Sequence, residues 1–162
     1  MIQLIESNVS IINIPDWTCN DINYTIFDFS RFTQVESIEI GNDCFGFVKT
    51  FQIDGLNRLQ SLKIGNNSFT QTKRIMWVEN FENAKALSNN ISKSFHILNC
   101  ESLESIHIGE WSFSDYGGEF ELKNLPSLQS IEIGSIGSNS FNFCFSSFVI
   151  RGIELILNIE FA

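Results

Sequence analysis

The chain has 162 residues, 43% hydrophobic and 13% aromatic, which is enough apolar material for one domain with a substantial core and too much for a disordered polypeptide. Ten Lys and Arg against nineteen Asp and Glu leave a net charge of −9, which opposes phosphate backbones and anionic lipid, so neither nucleic acid nor a membrane is an expected partner. No run approaches the ~20 apolar residues of a spanning helix, and Met1 to Ser10, with no basic start and alternating apolar residues, does not read as a secretory signal.

In chain order the sequence repeats one unit. Ile2, Leu4, Val9, Ile12 and Ile14 open it as a partial copy, with Pro15 in the place that Gly takes later. The first full copy is Phe27-x-Phe29-x-x-Phe32-x-x-Val35-x-x-Ile38-x-Ile40-Gly41, followed by Asn42, Asp43, Cys44 and Phe45. The second runs from Phe51, Ile53, Leu56, Leu59, Leu62 and Ile64 to Gly65, and ends on Asn66, Asn67, Ser68 and Phe69. An insertion over 70–94 follows. The frame returns as Phe95, Ile97, Cys100, Leu103, Ile106, Ile108 and Gly109, ending on Trp111, Ser112 and Phe113. It returns again as Phe120, Leu122, Leu125, Leu128, Ile131, Ile133 and Gly134, with a short insertion, Ser135 to Ser138, before Ser140 and Phe141. Phe148, Ile150, Ile153, Leu157 and Ile159 carry it forward to a second partial copy, so the chain reads as starting and stopping mid-repeat.

A fixed period of 24 to 26 residues is the signature of a solenoid, because a single unit cannot bury its own apolar wall and stacked units can. Leu62-x-Ile64 alternates at period two, as a short strand does. Gly at its end suits a tight turn, Ser or Cys tucks inside that turn, and the Phe after it plugs the coil. Phe-x-Ile forms a second extended segment on the opposite wall. This regular consumption accounts for sixteen Phe. The expectation is a single, mainly β domain over 1–162, a right-handed leucine-rich-repeat-type solenoid of about six coils with short parallel strands. The coils start near 9, 35, 59, 103, 128 and 155.

The unit Ile-Gly-x-x-Ser/Cys-Phe, preceded by Leu-x-x-Leu-x-Ile, resembles the BspA-like branch of the leucine-rich-repeat superfamily over nearly the whole chain. Its Leu-Pro-Ser pattern occurs once, at Leu125, Pro126 and Ser127. The resemblance implies a protein-binding or adhesion protein, secreted or at a cell surface, that uses a concave parallel sheet as its contact face.

The residues that could carry chemistry point elsewhere. Cys44 and Cys100 fall on columns otherwise held by Ser and by large apolar residues, and Cys19 falls on the plugging column; with Cys144 they form no C-x-x-C pair. They read as buried free thiols. His96 and His107 lie at outward strand positions without a nucleophile-and-acid context. The glycines stand singly or in a turn and build no phosphate loop, and the carboxylates lack calcium-loop spacing. No enzyme, cofactor or metal site is expected. Sequons stand at Asn8, Asn23, Asn66 and Asn90, of which Asn66 lies in a turn open to a glycan.

Stacking turns outward residues into rows. One row is Glu36, Gln60, Glu104 and Gln129; the next is Ser37, Ser61, Ser105 and Ser130; a third is Glu39, Lys63, His107 and Glu132. Glu39 faces Lys63, so like charges are separated. These rows are the first candidate partner surface. The insertion is the second: it carries Lys73, Arg74, Lys85 and Lys93, and Trp77 and Phe81 lie four apart on what Ile75, Val78, Ala84 and Leu87 would complete as a short amphipathic helix. The expected function is a protein-binding scaffold, with a passive segment of a longer repeat array as the alternative.

Overall fold

The computed structural model describes residues 8–71, 92–135, 141–144 and 146–153, and the backbone of 158–161. The chain is an all-β solenoid of about four turns, built of parallel strands, and no helix occurs among the described residues. Isoleucine, valine, leucine and phenylalanine at alternate positions make short strands favourable, since branched and aromatic side chains suit a pleated, half-buried surface. One wall is a six-stranded sheet of β1 (Ile11–Ile14), β3 (Ser37–Ile40), β5 (Ser61–Ile64), β7 (Ser105–Ile108), β9 (Ser130–Ile133) and β11 (Asn158–Phe161), in that order. The other is a five-stranded sheet of β2 (Ile26–Asp28), β4 (Thr50–Asp54), β6 (Ser94–Leu98), β8 (Glu119–Lys123) and β10 (Ser147–Arg151). The chain alternates between walls, so each sheet supplies the crossover that its partner's parallel pairing requires.

The repeat frame and the register coincide. Ile38 stands beside Leu62, Ile106 and Ile131 along the first wall, and Phe27 beside Phe51, Phe95, Phe120 and Phe148 along the second. The inward residues of both walls form one apolar cluster. Within it the rings make two perpendicular stacks. Phe27, Phe51, Phe95 and Phe120 are stacked at 4.6–4.8 Å and 5–8° between planes. Phe45, Phe69, Phe113 and Phe143 form the second stack at 4.7–5.0 Å and 4–12°. Between stacks the rings meet edge to face, as Phe27 with Phe45 at 5.1 Å and 90°. Both geometries suit the ring quadrupole, and each pair contributes about 0.5–1.5 kcal/mol beyond area burial.

Phe143, not Phe141, plugs the last described coil. It sits at φ 50°, where Phe45, Phe69 and Phe113 sit at 56–58°, and its ring joins their stack. Phe141 packs instead on Trp111 at 4.8 Å. The left-handed backbone costs a bulky residue about 1–2 kcal/mol, and burial of each whole ring offsets it. Cys19, at φ 58°, takes the same position in the first coil, as its column predicts.

Polar ladders hold the turns. Asn42 N–H donates to Asp16 Oδ1 at 2.7 Å, Asn66 N–H to Asn42 Oδ1 at 2.8 Å, and Glu110 N–H to Asn66 Oδ1 at 2.8 Å. Behind them the Ser68 hydroxyl donates to the Gly41 carbonyl at 2.8 Å and the Ser112 hydroxyl to the Gly65 carbonyl at 2.6 Å. Asn142 Nδ2 fills that slot in the last coil, donating to the Gly109 carbonyl at 2.7 Å. Gly41, Gly65 and Gly109 are therefore required by close approach and not by dihedral angle, whereas Gly134, after β9, sits at φ 84°. None of Gly41, Gly65 and Gly109 has positive φ, whereas a Cβ on Gly65 would stand 2.7 Å from the Gly41 carbonyl carbon and 2.8 Å from Asn42 N.

Candidate interaction surface

The outward side chains of the first wall stand in straight rows. The row Glu36, Gln60, Glu104 and Gln129 is stitched through the backbone, each N–H donating to the preceding carbonyl at 2.8 Å. The Ser61 hydroxyl donates to Ser37 Oγ at 3.0 Å. Lys63 Nζ meets Glu39 Oε1 at 2.8 Å, and His107 Nδ1 meets Glu132 Oε2 at 2.9 Å. Glu36 pairs with Arg58 at 2.8 Å, a partner outside the rows. These pairs are solvent-exposed, so each contributes at most about 1 kcal/mol; their effect is to hold long side chains in place along the wall. On the second wall His96 stands 3.4 Å from Glu121. Next to the first wall a groove of about 290 Å³ runs past Glu39, Lys63 and His107 and along the Asn42 and Asn66 ladder. Two backbone and side-chain bonds from Asn42 hold the Asp16 carboxyl below the ordinary carboxylate range.

The loops are not distributed evenly. The two longest connections, between β5 and β6 and between β9 and β10, both lie on the edge where the chain passes from the first wall to the second. On that edge lies a hollow of about 390 Å³, lined by Asn20, Asp43, Gly46, Phe47, Asn67, Thr70 and Gln71. Trp17 and Ile22, 67% and 68% exposed, lie in the first coil's turn along the same edge.

The neck of the larger excursion belongs to the solenoid. Thr70 is buried and shares a 2.8 Å hydrogen bond with Ser114. Lys93, grouped by sequence with the basic residues of the insertion, is 2% exposed and pairs with Asp115 Oδ2 at 2.6 Å. Ser94 opens β6. Trp77 and Phe81, with the helix proposed around them, lie outside the described residues. Sequence reasoning passed over Ser114, Asp115 and Tyr116, because a Ser-Asp-Tyr triplet after a plugging Phe has no counterpart in the other copies.

The four cysteines are free thiols, three of them buried and Cys144 exposed. Burial pushes the Cys100 thiol up to about 11 and raises Cys19 and Cys144 as well. Raised thiols are poor nucleophiles at neutral pH. Among the described residues no three His, Cys, Asp or Glu converge on a point that could hold a metal ion, and no helix is long and apolar enough to cross a membrane. In the Asn66 sequon, Asn66 is exposed and its Oδ1 accepts from Glu110 N–H, while Ser68 is fully buried. Comparison with protein-family models, with curated proteins and with solved structures gives no match.

Proposed function

We propose that this protein is a non-enzymatic protein-binding scaffold of the leucine-rich-repeat type, right-handed and of about six coils, whose partner lies across the first wall and the edge beside it. The observation that carries this reading is the placement of both long connections on one edge, beside a wall whose outward residues stand in register on parallel strands. Insertions in repeat proteins gather on one face, often the binding face. Handedness follows the strong general preference for right-handed parallel crossovers. The BspA-like resemblance of the repeat supports adhesion at a cell surface or after secretion.

The contact residues are Glu36, Glu39, Gln60, Lys63, Glu104, His107, Gln129 and Glu132, with Trp77 and Phe81 of the insertion. Proteins captured from one extract by the immobilised chain are compared with those captured by a Glu36→Lys, Glu104→Lys, Glu132→Lys variant of matched melting temperature. The variant is expected to lose its partner at least tenfold, and an unchanged set of captured proteins would sink the proposal. A passive segment of a stacked array is the second reading. It is favoured by the outermost strand of the five-stranded sheet, where the core-column residues Phe148 and Ile150 are 44% and 38% exposed.

A further inference from the structure

In the second coil, six residues' advance carries the chain from the plugging Phe45 to Phe51 on the opposite wall, with buried Val48 filling the edge between them. In the third coil the same step, from Phe69 to Phe95, takes twenty-six. The described chain stops at Gln71 and resumes at Ser92, and Ser92, in the position that Val48 holds in the second coil, is exposed and does not fill the edge. The fourth coil fills the place. Tyr116 follows Phe113 by three residues, as Val48 follows Phe45, and its ring is fully buried. Its hydroxyl reaches back past the third level to donate to the Val48 carbonyl at 3.0 Å.

One carboxylate oxygen then gathers both feet of the excursion. Asp115 Oδ2 accepts from Lys93 Nζ at 2.6 Å and from the Gln71 backbone N–H at 3.2 Å. The Lys93 ammonium also lies 5.4 Å from the Tyr116 ring centroid. Thr70 bonds Ser114 at 2.8 Å, Gly118 N–H donates to the Lys93 carbonyl at 2.9 Å, and Ser94 N–H to the Lys49 carbonyl at 2.9 Å. Lys93 and Asp115 are 2% and 4% exposed, so this junction is dry. A buried pair of this kind adds little over an apolar contact, yet losing one partner is costly, which makes it suited to fixing where a chain rejoins.

We infer that Tyr116 and the Lys93–Asp115 pair close the solenoid beneath the excursion, so that residues 72–91 are a separable module that the fold does not need. Joining Gln71 directly to Ser92 restores the six-residue step and aligns Lys93 with Lys49.

Two full-length-based variants test this, one lacking 72–91 and one carrying a twenty-residue Gly/Ser linker in their place. Circular dichroism is expected to show wild-type β signal, with a melting temperature within about 5 °C of wild type, in at least one of them. Asp115→Ala in the intact chain and in that variant is expected to lower the transition by about 6–20 °C in both. Failure of both replacements to fold, or a fall as large as that of Asp115→Ala, overturns the separability of the module. A harmless Asp115→Ala overturns the role of the pair.

Discussion

At Gly65 the third coil touches the second so closely that one methyl group decides the fit. The obstructing atoms are Gly41 and Asn42 backbone as well as the Asn42 side chain, and backbone held in a ladder cannot yield. Gly65→Ala is therefore expected to cost about 3 kcal/mol or more, at the upper end of overpacking, read as the shift in a urea transition. Gly55 differs: nothing lies within 4 Å of its absent Cβ, and its φ of +72° alone asks for glycine. Both residues look alike in the sequence, as a Gly closing a strand; the space around the absent Cβ and the backbone angle separate them. Tyr116 makes a pH-dependent contribution. Burial, with the Asp115 charge beside it, holds its phenol well above 10 in the fold, while the unfolded phenol titrates near 10. The folded state therefore binds the proton more tightly. The associated stability is intact below pH ~10 and is lost as pH rises further. Tyr116→Phe should flatten the alkaline loss of stability in denaturation curves between about pH 9 and 11, at the expense of about 1 kcal/mol at neutral pH from the missing bond to Val48. An unchanged alkaline slope would remove Tyr116 from that role.

Among the elements, the strands were legible and the turns only partly so. Period-two alternation of large apolar residues specifies which face of each strand turns inward, and the observed register places those residues in columns as the repeat frame aligns them. The last turn is the exception. Counting by the pair Ser140-Phe141 selects the wrong ring, since the slot behind the plug asks for a short hydrogen-bond donor and accepts the Asn142 amide in place of a hydroxyl. The φ of 50° and the 4.9 Å stack on Phe113 then belong to Phe143. Phe143→Ala is expected to cost about 3–5 kcal/mol as a buried ring lost from the stack. Phe141→Ala, half-buried against Trp111, should cost no more than about 1–2 kcal/mol. Equal losses in chemical denaturation would return Phe141 to the plugging column.

Over the whole molecule, each coil packs chiefly on its neighbours, the Tyr116–Val48 bond spanning one level further, so the solenoid can open coil by coil or all together. Its thiols report which occurs. Cys44 in the second coil and Cys100 at the end of the third are fully buried, on either side of the excursion, while Cys144 is exposed. With continuous Phe stacks running through both coils, Cys44 and Cys100 are expected to react with a thiol reagent at one shared, slow rate, after Cys144. Rates differing by tenfold or more would show that the stacks do not couple the coils. By itself the sequence determined the repeat, the alternation that sorts residues inward or outward, the two walls and the rows of Glu39, Lys63 and His107, because each depends on spacing along the chain alone. Only the tertiary structure decided what lies between coils. The close approach at Gly65, the substitution of Asn142 for a hydroxyl, and the Tyr116 and Lys93–Asp115 closure beneath the excursion join residues 22 to 68 positions apart. Such contacts follow from the distance between stacked backbones, which no periodicity within one coil encodes.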